Sequence, residues 1–153
     1  MTAQEVAAKI QTMTAKEIIM SMVSGLRKRH TEIDMDTFGM IENGVCYGCA
    51  ATNCIIELAQ GEKDWFFPYD TRLTVSNCIP PEDLVAAKVI VHFEYAINLL
   101  RQGEIGYYNT QANLHNLPTI HVPVDFPELP YLNDNYTEED LLIYEQLANA
   151  QPE

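Results

Sequence analysis

The feature that most constrains the fold is an apolar segment at residues 43–56, which carries three of the four cysteines. Cys46, Cys49 and Cys54 follow the spacing C-x2-C-x4-C, and apolar residues continue to Ala59. Placed on a helix, these apolar positions surround the axis instead of forming one stripe, which is typical of a buried central helix. The segment therefore predicts a core helix that ends before Gly61.

Helical geometry separates the three cysteines. At 100° per residue, Cys46 and Cys49 would lie about 60° apart, whereas Cys54 would lie about 140° from Cys49. One helix therefore cannot direct all three at a single metal ion. Because the sequence has no second C-x-x-C and no H-x3-H, we expect neither a metal centre nor a cofactor. Three roles stay open for the pair: inert core thiols, a redox pair, or two ligands of a metal that other residues complete.

The region 34–53 also resembles the thiol helix of the carboxymuconolactone decarboxylase and alkylhydroperoxidase-D group, which is all-helical. The likeness lies in a turn before Cys46-x-x-Cys49 and in an acidic residue, Asp34, twelve positions before Cys46. The motif of that family continues with a histidine, where this chain has Asn53. The resemblance implies that Cys46, Cys49 and Asp34 would carry any thiol chemistry.

Thr2-x-x-Glu5 is a capping box that predicts a short N-terminal helix. Three further helices follow from capping and periodicity. Thr14-x-x-Glu17 is a capping box, and it opens a helix with an apolar stripe. A second central helix is predicted over residues 84–102, because prolines and acids precede it and Gly103 follows. Thr137 begins a final acidic helix. The first of these helices has as its stripe Ile18, Ile19, Met22, Val23 and Leu26, and the last packs through Leu141, Leu142, Tyr144, Leu147 and Ala148.

Residues 106–135 lack a helical period and contain four prolines at short spacing. Proline disfavours helix at the residue before it, so we predict an extended arm lying across a helical body. The predicted fold is a single all-α domain over residues 1–153. It has about five helices around two central apolar ones, the proline-rich arm and the acidic last helix.

The charge is strongly negative and unevenly placed. The net charge is −13, and no Lys or Arg occurs after Arg101, where nine acidic residues lie. Such a balance argues against nucleic acid and against an anionic membrane surface. It predicts either a docking surface for a basic partner or pairing with the basic cluster at residues 27–30.

We therefore expect a non-enzymatic, acidic protein-binding module, with the size and charge of immunity or antitoxin-type proteins. The alternatives are a thiol-redox or metal-binding protein using Cys46 and Cys49, and a small-molecule pocket between the central helices. Apolar central helices suit self-association or burial within the monomer equally well. No targeting segment and no membrane span are evident, so we expect a cytoplasmic protein. The predicted binding residues are Tyr107, Tyr108, Asp134, Tyr136, Glu138, Glu139 and Asp140.

Overall fold

A computed structural model describes most of the chain outside its middle. The described residues are 5–6, 8–9, 12–34, 39–62, 106, 109–110, 113–114, 118–130, 132 and 134–152. Over these residues three helices with defined bounds accompany a mixed three-stranded sheet. The prediction of an all-α fold is therefore wrong. The predicted second central helix at 84–102 lies outside the described residues.

Helix α1, Ala15–Lys28, begins where the capping pattern predicts. The Thr14 side chain accepts a hydrogen bond of 3.2 Å from the backbone N–H of Glu17, which satisfies one of the unpaired donors of the first turn. The predicted apolar stripe is fully buried. The helix ends at Arg29, whose backbone is left-handed (φ 55°) and whose N–H donates to the carbonyl of Gly25.

The sheet lies between residues 32 and 48, so Cys46 belongs to a strand where the sequence predicted a helix. Its strands are β1 (Glu32–Ile33), β2 (Gly39–Glu42) and β3 (Val45–Gly48), in the order β1-β3-β2. Strands β2 and β3 are antiparallel and joined by Asn43 and Gly44, both with positive φ. Two left-handed residues form the tight hairpin turn that Asn-Gly favours. The pairing of β1 with β3 is parallel.

Helix α2, Ala50–Leu58, is the cysteine helix, and it starts four residues later than predicted from Cys46. All of its residues are buried except Glu57, which is half-buried. The prediction of a central buried helix is confirmed for this shorter span. A helix that is apolar around its circumference needs neighbours on every side, and α2 packs against both α1 and β3.

Gly25 sets the separation of α1 and α2. A Cβ atom at this position would lie 2.2 Å from the backbone oxygen and 2.7 Å from the backbone carbon of Asn53. Those distances are far inside van der Waals contact, so the two helices pack backbone against backbone. Only glycine allows this approach without moving one helix.

Helix α3, Glu138–Asn149, has the predicted start, with a complete capping box between Thr137 and Asp140. It packs against α1 through its buried face. The predicted packing role of Leu142 is wrong, because its side chain is 45% exposed. The residues of α3 that do join the core are Leu141, Tyr144, Leu147 and Ala148.

The proline-rich arm is shorter than predicted. Residues 106, 109–110 and 113–114 are helical, which contradicts an extended segment from residue 106. From Pro118 to Pro130 the chain lacks helix and strand, and it packs on the body through the buried side chains of Ile120 and Leu129. In the described part of the chain, no helix has the length and apolar character needed to cross a membrane.

Candidate functional site

The structure places the two cysteines of the C-x2-C pair on different elements. Cys46 lies within β3, opposite Ile41, and is half-buried. Cys49 is the N-cap residue of α2, with extended backbone and 3% exposure. Its Sγ lies 3.4 Å from the hydroxyl oxygen of Thr52. The two thiols therefore do not share a helix face, because the helix begins only after Cys49.

The third cysteine is a core residue. Cys54 is fully buried on α2, and its Sγ lies 3.9 Å from the backbone oxygen of Ile18 on α1. Burial, with a smaller effect from Glu57, raises the pKa of the Cys54 thiol to about 12. A thiol that stays protonated is a poor nucleophile and metal ligand. Cys54 is therefore part of the α1–α2 packing.

Asp34 lies next to the segment that contains the pair. It follows β1 directly, and its backbone N–H donates a 3.0 Å hydrogen bond to the carbonyl of Gly48. This contact places the backbone of Asp34 beside the residue that precedes Cys49. Pairing of β1 with β3 thus places the backbone of Asp34 near that of Cys49, and Cys46 lies further back along β3.

Asn53 has a structural role at the position where the resembled family has a histidine. Its Oδ1 accepts from the backbone N–H of Thr31 at 3.1 Å, and its Nδ2 donates to Thr31 Oγ1 at 2.9 Å. The same Nδ2 donates to the carbonyl of Cys49 at 3.0 Å. Buried polar groups need such partners, so Asn53 is a bridge between the first turn of α2 and the connection from α1 to β1.

The described residues contain no cluster of side chains that could form a metal centre. Over residues 5–62 and 106–152, excluding the gaps between the described ranges, no group of three or more His, Cys, Asp or Glu side chains could hold an ion. Cys78, His92 and His115 lie outside the described residues.

The acidic C-terminal residues divide into those bound to the body and those at the surface. Glu138 accepts three hydrogen bonds from Arg27, one of 2.6 Å from Nη2 and two of 3.0 and 3.1 Å from Nε. Glu145 accepts one of 2.7 Å from the same Nη2. Asp140 belongs to the capping box. Asp134 and Glu139 are exposed. The hydrogen bonds to Glu138 and then Glu145 raise the pKa of Arg27, whose guanidinium is protonated throughout the physiological range even without them.

Tyr136 is bound to the same region of α1. Its hydroxyl donates a hydrogen bond to the carbonyl of Leu26, and the guanidinium of Arg29 lies over its ring, 5.6 Å from the centroid. A cation over an aromatic face is attracted by the ring quadrupole. Tyr136 therefore anchors the start of α3 to the end of α1. The other two predicted tyrosines, Tyr107 and Tyr108, lie outside the described residues.

Glu57 pairs with two further residues of the basic cluster, Lys28 and His30. Its two carboxylate oxygens lie 2.7 Å from Lys28 Nζ and 3.0 Å from His30 Nε2. Burial opposes ionisation of Glu57, but the hydrogen bonds from Lys28 and His30 outweigh it and lower the pKa. Arg29 forms a further ion pair with Glu32. The basic cluster at residues 27–30 is thus paired with carboxylates of its own chain.

A groove of about 450 Å³ lies between α1, α2 and the N-terminal residues. Its walls combine apolar side chains with hydroxyls and charged groups: Met13, Met20, Leu58, Ser21, Ser24, Lys9, Glu17 and Glu57. The volume falls in the range of small-molecule sites. The pocket predicted from the sequence was a different one, because it involved the helix at 84–102.

A loop of the proline-rich arm, which the sequence analysis did not mark as a site, carries the most exposed large apolar side chain among the described residues. Val124 is 94% exposed at a turn formed by residues 123–126. The sequence did contain a signal, since Val124 and Asp125 lie between prolines at positions 123 and 127, where turns are common. The exposure itself could not be read from the sequence, because it depends on which neighbouring side chains enter the core.

Comparison with known proteins adds no assignment: no protein-family model, no curated protein and no solved structure matches this chain.

Proposed function

We propose that this protein is a non-enzymatic binding module that docks a basic protein against its acidic C-terminal surface. The observation that carries the proposal is the outward face of α3. At 100° per residue, its five exposed residues fall within an arc of about 100°. Leu142 lies near the middle of that arc, and the full set is Glu138, Glu139, Leu142, Gln146 and Asn149.

This face has the composition of a contact surface for a cationic partner. An exposed leucine offers apolar area, and the carboxylate of Glu139 beside it attracts Lys or Arg side chains at the rim, whereas that of Glu138 is already paired with Arg27. Asp125, Glu128 and Asp134 add exposed negative charge in the preceding segment. Because no Lys or Arg follows Arg101, no cation of this part of the chain offsets those carboxylates.

The internal ion pairs support the same proposal. Arg27, Lys28 and Arg29 are each paired with a carboxylate of the chain itself. The basic cluster therefore adds little positive potential to the surface near α3, and the net charge of −13 remains available to steer a basic partner over a Debye length of about 10 Å at 0.1 M salt. We also propose a cytoplasmic location, supported by the free thiols of Cys46, Cys49 and Cys54.

Affinity capture tests the proposal. The immobilised protein is exposed to a lysate of its source organism at salt concentrations of about 0.1 M and 1 M, and retained proteins are identified by mass spectrometry. We expect a protein of high isoelectric point that is retained at low salt, released at high salt, and bound directly when purified. Capture of no basic protein, or binding that ignores ionic strength, would contradict the proposal.

One observation favours thiol chemistry as a second candidate. Cys49 occupies the N-cap position of α2, three residues after Cys46, and the backbone of Asp34 lies beside Gly48, the residue before Cys49. Helix N-termini favour thiolates, but the 3% exposure of Cys49 restricts access. Thiol titration and elemental analysis of the purified protein test this candidate, and two unreactive thiols with no bound metal would exclude it.

A further inference from the structure

The turn at residues 123–126 presents an apolar side chain to solvent. The backbone N–H of Phe126 donates a 3.0 Å hydrogen bond to the carbonyl of Pro123, so Val124 and Asp125 occupy the two central positions. Turn positions usually carry Asp, Asn, Gly or Pro, whose conformational preferences suit them. Val124 offers no such preference, and at 94% exposure it gains no burial within the monomer.

The base of this loop is fixed by two amide side chains. Asn109 bonds both backbone groups of Ile120: its Oδ1 accepts from the N–H at 2.8 Å, and its Nδ2 donates to the carbonyl at 3.0 Å. Gln151 does the same for His121, at 2.9 Å and 2.7 Å. Each amide thus pairs with the backbone N–H and carbonyl of one residue, as a neighbouring strand would, and the two residues, Ile120 and His121, are successive.

Apolar anchors fix the loop on both sides of the turn. Ile120 is 2% exposed and Leu129 is 7% exposed. Between them Val122 and Phe126 are partly buried against the core, and Val124 and Asp125 are exposed at the turn. A loop held in one conformation before binding loses little entropy when a partner contacts it.

We propose that Val124 is an apolar anchor that inserts into a socket on the basic partner. The proposal rests on the proposed function and adds a second contact surface to the face of α3. Asp125 and Glu128 are exposed beside the anchor, so the socket that fits it is apolar and bordered by Lys or Arg. This arrangement joins an apolar centre to a charged rim, as in protein interfaces generally.

The variant Val124→Asp separates this proposal from simple charge attraction. It removes the apolar anchor and adds a negative charge, so electrostatics alone predicts equal or tighter binding of a basic protein. Val45→Asp is the matched control, since Val45 is 40% exposed at the β2–β3 hairpin. The probe is the basic protein that the wild type retains, purified and titrated against each variant. Thermal unfolding verifies that both variants fold.

We expect Val124→Asp to weaken binding by about tenfold or more, as truncation of a buried anchor does, and Val45→Asp to bind like the wild type. Wild-type affinity for Val124→Asp would overturn the anchor and leave the proposed function intact, and so would an equal loss in both variants. A wild-type dimer that Val124→Asp converts to monomer would also overturn it, because the occupant of the turn would then be a second copy. If the wild type captures no basic protein, both proposals fall.

Discussion

Replacement of Gly25 by alanine tests the helix packing that positions every candidate residue. The added Cβ would meet the backbone of Asn53 at 2.2 Å, and backbone cannot rotate away as a side chain would. Helix α2 must therefore shift by close to an ångström relative to α1. Overpacking of this kind costs about 1–3 kcal/mol, and disturbance of the adjacent Asn53 hydrogen bonds costs about 1 kcal/mol for each bond weakened.

An opposing effect must be subtracted. Alanine favours a helix over glycine by about 1 kcal/mol. With two of the three Asn53 hydrogen bonds weakened, the expected net loss for Gly25→Ala is therefore about 2–4 kcal/mol of unfolding free energy. Urea denaturation followed by circular dichroism measures it as a lower midpoint with an unchanged slope.

Gly106 supplies the matched control. It is also helical, but a Cβ there would meet no atom within 4 Å. Gly106→Ala should leave the stability unchanged or raise it by up to about 1 kcal/mol. If Gly25→Ala is as stable as the wild type, the close approach of α1 and α2 is wrong, and the placement of Asn53 and Cys49 fails with it.

Three further predictions concern the same region. Asn53→Ala removes three buried hydrogen bonds and should cost about 2–3 kcal/mol in urea denaturation; a loss below ~0.5 kcal/mol would contradict the bridging role. Burial raises the pKa of Glu57, but the hydrogen bonds from Lys28 and His30 lower it overall from 4.5, so the ionised carboxylate should stabilise the wild type over Glu57→Gln fully at neutral pH. That difference should shrink as the pH falls below about 4.5 and through the lowered pKa, and a difference that grows in acid would refute it. Alkylation mapped by mass spectrometry should modify these thiols in the order of their exposure: Cys46 first, then Cys49, and Cys54 only on unfolding. Modification of Cys54 in the folded protein would disprove its assignment to the core.

The sequence predicted those elements whose determinants are local. The caps at Thr14 and Thr137 and the apolar stripe of α1 depend on neighbours within two turns, so pattern and structure agree. The error at residues 39–48 is also local in origin. Asn43-Gly44 is a strong hairpin signal, but the strands beside it have only four residues each, and short apolar runs fit helix and strand alike. The sequence predicts a helix at Cys46 because the apolar run continues into α2.

The parts that could not be predicted depend on long-range contacts. Arg27 meets Glu138 across 111 positions, and Gln151 meets His121 across 30. Pairing of the basic cluster with acidic residues was left open by the charge pattern, and only the packing of α1 against α3 decides which carboxylates take part. Two of the predicted binding residues serve the fold through such contacts, Tyr136 and Glu138, whereas Asp140 does so through the local capping box.

The most direct test of the binding proposal compares two charge reversals of equal size. Glu139→Lys changes the exposed face of α3, and Glu42→Lys makes the same change in net charge at an exposed position on β2. The dissociation constant of each variant for the purified basic partner is measured as a function of salt concentration. We expect Glu139→Lys to weaken binding by more than about tenfold at low salt and to flatten its salt dependence, while Glu42→Lys changes it only slightly. Equal effects of the two reversals would contradict docking on the C-terminal surface.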